Sequence, residues 1–291
     1  MMEPARYRVA ALDTASPDVV SGEIVALHQR LFPDADSKFI PSLIHKVEDM
    51  FAGNYRKFQA MDTRYHDLEH TLQATLCLCR MLEGYQADPD QTPLSQRSFL
   101  IAFVAILMHD VGYLKDASDQ EGTGAKFTFV HERRSCEIAH LFLQERGWEQ
   151  KDIFSVQHLI SCTGPRSDVT AIPFFDDTER FLGRCVATAD YIGQMSDPKY
   201  PEKLDVLFEE FEESDNFRSI PKEDRLFKSR EDLIRKTPGF WTFVLENKLK
   251  KECAGVFRYL ERPPGSGENP YIQSVEQNLD RIRERLEGLP A

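Results

Sequence analysis

The ten-residue apolar run Phe99 to Met108 (FLIAFVAILM) ends in His109-Asp110 and leads into Val111-Gly112-Tyr113. A helix this apolar has to be buried on nearly every side. It therefore carries two ionisable residues into the interior at its end. Buried imidazole and carboxylate groups need partners, and a metal ion is a partner that satisfies both. An ordinary helix C-terminus also fits the pair, with His109 near the negative end of the dipole and Gly112 as the stop. The rest of the chain has to decide between the two.

Two other stretches bear on the choice. In Tyr65-His66-Asp67-Leu68-Glu69-His70 the two histidines are four apart. If this stretch opens the helix that continues as TLQATLCLCRML, both imidazoles project from one face. A solvated surface pair has the same spacing, but His66 stands at the helix start and His70 leads straight into apolar residues. Asp190, within Val186-Ala187-Thr188-Ala189-Asp190-Tyr191-Ile192-Gly193, is a carboxylate among small and apolar neighbours. Taken alone it reads as a helix cap.

The order His70, then His109-Asp110, then Asp190, each on its own helix, resembles the HD superfamily of metal-dependent phosphohydrolases. The Tyr-His-x-x-x-His stretch resembles the opening motif of cyclic nucleotide phosphodiesterases. The resemblance covers about residues 60–215 and implies an all-α HD-domain bundle. It implies a metal held by His70, His109, Asp110 and Asp190, and His66 as general acid. The phosphodiesterase pattern has Asn after that first His, where this chain has Asp67. With His131 and His158 added, the order matches the ligand set of dinuclear HD proteins, including the HD-GYP type. In such a site Asp110 bridges two metals and a hydroxide between them is the nucleophile. The implied function is metal-dependent hydrolysis of a phosphate ester, with a nucleotide phosphodiester first among substrates and one or two divalent ions as cofactor. Mixed imidazole and carboxylate ligands suit Mn, Fe, Zn or Mg-assisted sites alike. Two alternatives stand beside it. One is a di-iron oxygenase with four His and two Asp ligands, and the other is a regulatory module that keeps the metal without turnover.

Phosphate needs cationic help near the metal. Arg134, three residues after His131, and Lys115, five after Asp110, are the expected phosphate-binding side chains. Glu69 and Glu132, each beside a ligand candidate, are candidates to support ligands or move protons. His28, His45 and His140 are left outside the site.

A net charge of -12 argues against nucleic acid or an acidic membrane as partner. Six cysteines without a Cys-x-x-Cys pattern read as reduced thiols of a cytoplasmic protein. The start MMEPARYRVAALD lacks a signal-peptide core, and the longest apolar run is ten residues, too short for a membrane span.

Helical periodicity dominates and strand alternation is almost absent. Helices are expected at 21–32, 40–51, 68–82, 93–110, 131–145, 150–162 and 177–195, with further helical sequence over 201–260. Residues 114–129 form a polar loop after the suspected ligands, either a lid or a plain connection. The acidic stretch Glu209-Glu210-Phe211-Glu212-Glu213 reads as a solvated face. The chain divides into a main domain over 1–261, a linker at 262–270 (RPPGSGENP) and a final helix over 271–291. That helix carries an apolar stripe, Ile272, Val275, Leu279, Ile282 and Leu286. The stripe is expected to pack on its own domain, with a homodimer as the rival.

Overall fold

The computed structural model describes residues 9, 12–164 and 166–287. Most of the N-terminal stretch read for a leader, and residues 288–291 of the final segment, lie outside the described residues. The fold is all-α, as expected, with ten α-helices and no sheet among the described residues. They are α1 (Pro17–Leu31), α2 (Phe39–Phe51), α3 (Leu68–Gln86), α4 (Gln96–Met108), α5 (His131–Gln144), α6 (Gln150–Ile160), α7 (Asp177–Met195), α8 (Tyr200–Phe217), α9 (Arg230–Phe243) and α10 (Pro270–Glu287). Helix starts follow local chemistry. Ser16, Asp67, Ser95, Asp176 and Ser229 each accept a backbone N–H of the first turn through the side chain.

The core is built around α3, α4 and α7. From Ala102 to Met108 every side chain of α4 is at most 1% exposed, which is what its unbroken apolar sequence demands. α3 and α7 cross closely because small residues meet there. A Cβ on Gly193 would lie 2.9 Å from the Ala74 Cα and 3.1 Å from its backbone N. This contact is one turn beyond His70 on α3 and one turn beyond Asp190 on α7, so it sets how near those two side chains come.

The 201–260 region is less uniform than its sequence suggests. α8 stops at Phe217, with Ser219 at φ 55° and Pro221 beyond it. α9 contains Pro238 and runs on as a π-helical stretch over Val244–Glu252. The polar loop after the His-Asp pair is tied down at many points. The Lys115 Nζ donates to the Gly122 carbonyl at 2.6 Å, and Gly124 N donates to Asp62 at 2.7 Å. Thr123 Oγ1 donates to Glu213 at 2.7 Å, and Lys126 pairs with Asp119 at 2.6 Å.

The 262–270 segment is pinned at both ends. The buried Arg262 guanidinium donates to the carbonyls of Arg80 and Tyr259. Asn269 accepts the N–H groups of Tyr271 and Ile272 at the start of α10. The α10 stripe then lies on its own chain: Val275, Leu279 and Ile282 are buried in the core cluster. Asn278 donates to the carbonyls of Met195 and Asp197, which terminates α7 against α10. We predict that Ile282→Ala costs about 2–5 kcal/mol of stability, read by urea denaturation, and leaves the molecular mass in solution unchanged. A change of oligomeric state without loss of stability would show that the stripe serves another chain.

Candidate metal centre

Four side chains from two helices and the end of a third converge in the core. Asp67 caps α3 by accepting the His70 N–H at 2.8 Å, which fixes His70 in the first turn. Asn and Asp cap equally well, so Asp67 performs locally what the Asn of the phosphodiesterase pattern could. α4 ends at Met108, with His109 still helical and Asp110 at φ -106°, ψ 2°. That break turns consecutive side chains toward one point. Asp190 lies in the middle of α7, not at its start, so a capping role is ruled out by position.

The distances are short. Asp110 Oδ2 is 3.1 Å from His109 Nε2 and 3.2 Å from His70 Nε2. Asp190 Oδ1 is 3.5 Å from each of the same nitrogens, which are 3.3 Å from one another. His70, His109 and Asp110 are buried and offer donor atoms within 4.8 Å of one another, a group able to hold a metal ion.

The hydrogen bonds around the centre test that fit. His109 Nδ1 lies 2.7 Å from the Ile106 carbonyl, which can only accept, so Nδ1 carries the proton. In the neutral ring, Nε2 then presents a lone pair to the carboxylates. His131 repeats the arrangement, with Nδ1 2.7 Å from the Thr128 carbonyl and Nε2 3.6 Å from Asp110 Oδ1. Asp110 Oδ2 and His70 Nδ1 are buried without a hydrogen bond. Lone pairs facing carboxylate oxygens in a buried site need a cation between them.

Protons are the only substitute in the chain itself. Burial opposes charge on His70, but Asp110 and Asp190 outweigh it and push the imidazole up to about 9. His109 is driven well above its ordinary value by the same carboxylates, again against burial. Burial alone would raise Asp110 and Asp190, yet the two imidazoles hold both below the usual carboxylate range.

A second layer lies along the wall of an adjoining cavity of about 480 Å³, which is lined by His66, Asp110, His131 and Asp190 among others. His131 reaches Asp110 because Gly112 lets α5 sit directly on the turn after α4. A Cβ at Gly112 would lie 2.0 Å from the His131 carbonyl oxygen. His66 precedes α3 and packs on Tyr113, whose ring also packs on His131, with centroids 4.6 Å apart in both pairs. The His66 Nδ1 is 2.6 Å from Glu210 Oε2, and Glu210 Oε1 accepts the N–H groups of Arg64 and Tyr65. Glu210 was hidden in the sequence by its acidic neighbours. Glu209 and Glu212 are exposed as expected, whereas Glu210 falls on the inner face of α8 with Ser214. Its spacing from Leu207 and Ser214, three and four residues away, was the available signal.

Three expected site residues are placed elsewhere. His158 pairs with Glu179 at 3.0 Å and packs on Phe175. Glu179 is eleven residues before Asp190 on the same helix, roughly 16 Å along its axis, so His158 faces the far end of α7. Arg134 donates to the Gly112 and Leu114 carbonyls at 2.7 and 2.6 Å and lies on the Phe127 ring. Lys115 is buried between Asp62 and the Gly122 carbonyl. Both cations brace the loop after Asp110, and neither is among the residues lining the cavity beside the centre. Glu69 binds Lys199 and Lys203 at the surface side of α3, whereas Glu132 stays beside His131, 3.5 Å from its Nδ1.

The raised His70 value has a consequence for the metal-free protein. A protonated His70 stabilises the fold fully below its ordinary value of 6.5, and that contribution is lost as pH rises through about 9. Urea denaturation in chelator should therefore show stability falling across that window. With a divalent ion bound, the fall should be absent, because the imidazole is then a neutral ligand. A flat profile in chelator would contradict the charge balance described above.

No curated protein matches this sequence. Among the described residues, no helix is long and apolar enough to cross a membrane, and all six cysteines are free. A family model, Npun_R2479-like, matches residues 37–261. The match takes in α2 to α9 and every side chain of the centre, and the chain belongs to the Npun_R2479-like family.

Proposed function

We propose that the protein is a metal-dependent phosphate-ester hydrolase. The observation that carries this reading is His66, held on a cavity wall beside Asp110 and His131 with its Nδ1 bound to Glu210. A carboxylate at Nδ1 fixes the tautomer and the ring orientation, so Nε2 is the position that exchanges a proton with the cavity. His70, His109, Asp110 and Asp190 would hold the first ion, and His131 with the second oxygen of Asp110 offers donors for another. A divalent cation bound there supplies Lewis acidity to the phosphoryl group and acidifies water. The protein's own part is to hold a proton at His66 Nε2 for the leaving oxygen and to keep Asp110 ionised between the imidazoles. Arg235 and Lys236 are the cationic side chains of the cavity lining.

The oxygenase alternative needs a fourth histidine. His158 is the candidate for it, and its place beside Glu179, eleven residues before Asp190 on α7, argues against that tally. Against a regulatory module without turnover stands the His66–Glu210 pair, which orients an imidazole on the cavity wall beyond what holding a metal requires.

Two variants test the reading. Asp110→Ala should lose metal and activity together, and full occupancy by elemental analysis would refute the ligand assignment. His66→Ala should keep the metal and lose roughly 10²–10⁴-fold in turnover on an alkyl ester. The deficit should shrink on an activated aryl phosphate, whose leaving group needs no proton. An equal loss on both esters would remove the acid role.

A further inference from the structure

The cavity beside the metal centre is walled by hydrocarbon. Leu204, Leu207 and Phe211 from α8, Phe227 from the connecting segment, and Leu233 and Phe240 from α9 line it opposite His66, Asp110 and Asp190. At its rim Leu226 is 57% exposed. The polar groups that could read a nucleobase are already engaged within the protein. The Gln194 amide donates to the Asp190 carbonyl at 3.1 Å and accepts from Tyr65 at 2.8 Å. Tyr191 donates to the Gly164 carbonyl, and Thr237 to that of Leu233. Lys236 is bound to Asp232 and to the Leu226 carbonyl, both at 2.8 Å. Among the described lining side chains outside the metal centre, the Tyr200 hydroxyl and the exposed Arg235 remain without a hydrogen-bond partner.

We propose that the ligand is an amphiphile, a phosphate ester whose anionic head meets the metal centre and whose hydrocarbon body lies along the α8–α9 wall. This rests on the phosphate-ester reading above and replaces the nucleotide that the resemblance implied. A purine or pyrimidine carries several donors and acceptors on its edge. In this cavity most would lose water and gain no partner, which penalises binding. A hydrocarbon body has no such groups, and each methylene removed from water adds affinity. The volume of about 480 Å³ is within the range of small-molecule sites.

Gly239 supplies the test. It lines the cavity, and a Cβ there would meet no atom within 4 Å. The backbone there has room for a side chain, and Gly239→Leu adds hydrocarbon at the cavity lining. The probes are linear alkyl monophosphates from ethyl to octyl, with adenosine monophosphate as a comparator bearing the same head. Binding to the full-length, Mn-loaded protein is measured by calorimetry. Affinity should rise roughly 4-fold per methylene until the cavity is full, and the nucleotide should bind no more tightly than the ethyl ester. In Gly239→Leu the rise should stop at a shorter chain. Leu226→Asp, at an exposed position, should weaken the long chains and leave the ethyl ester unchanged. Absence of binding, affinity independent of chain length, or a nucleotide matching the octyl ester would overturn the proposal. Turnover of the same series is followed separately. Chain-dependent binding without hydrolysis would remove the hydrolase reading and keep the amphiphile site, and hydrolysis with flat affinity would do the reverse.

Discussion

Asp110 and Asp190 are ionised carboxylates inside a helical core, and burying them is costly unless positive charge is supplied within a few ångströms. The placement of α3, α4 and α7 answers that requirement. His70 comes from the capped first turn of α3, His109 from the last turn of α4, and Asp190 from mid-α7. Each of these helices is secured elsewhere by apolar packing, so the core holds the four groups together even though their mutual contacts cost desolvation. The surrounding hydrocarbon thus sets the geometry in which imidazoles and carboxylates hold one another's charge.

Close backbone approach is what makes the arrangement geometrically attainable. Gly193 against Ala74 brings α7 to α3, and Gly112 against the His131 carbonyl brings α5 to the turn after α4. In both places a side chain would occupy space held by backbone atoms, which have little freedom to yield. The braces around Asp110 serve the same end by different chemistry. Arg134 ties the Gly112 and Leu114 carbonyls together, and Ser135 accepts the Gly112 N–H at 2.8 Å. Two cations that composition alone would assign to phosphate are therefore consumed in shaping the loop that presents the ligands.

What was legible in the sequence follows from the range of the interactions. The end of α4 could be read because an apolar run fixes burial and the next two residues must share it. The start and end of α7 were legible for the same local reason, whereas His66 precedes α3 and does not share a helix face with His70 as its spacing suggested. The side-chain partners were not legible. His158 entered the ligand set through the order of the motifs, yet its partner is Glu179, 21 residues away on another helix. Glu210 reaches His66 over 144 residues, and Lys115 reaches Asp62 over 53. A single sequence states a residue's face on its helix but not which helix will lie opposite. The cavity wall was illegible for the further reason that α8 and α9 look like any amphipathic pair until their relation to Asp190 is known.

Charge balance says why a divalent ion suits this centre. Without metal, the raised values of His70 and His109 leave both rings protonated near neutral pH, and the two depressed carboxylates cancel them. Exchange of those two protons for a dication leaves the buried charge unchanged. A monovalent ion would leave the core negative unless one ring kept its proton, and that ring could not then coordinate through Nε2. Binding a divalent ion is accordingly coupled to proton release, and acid competes with metal for the same lone pairs. The coupling also bears on an anionic ligand: a cation held by these groups would add positive charge to a cavity whose own cationic lining is Arg235 and Lys236, so anion affinity would be linked to cation occupancy.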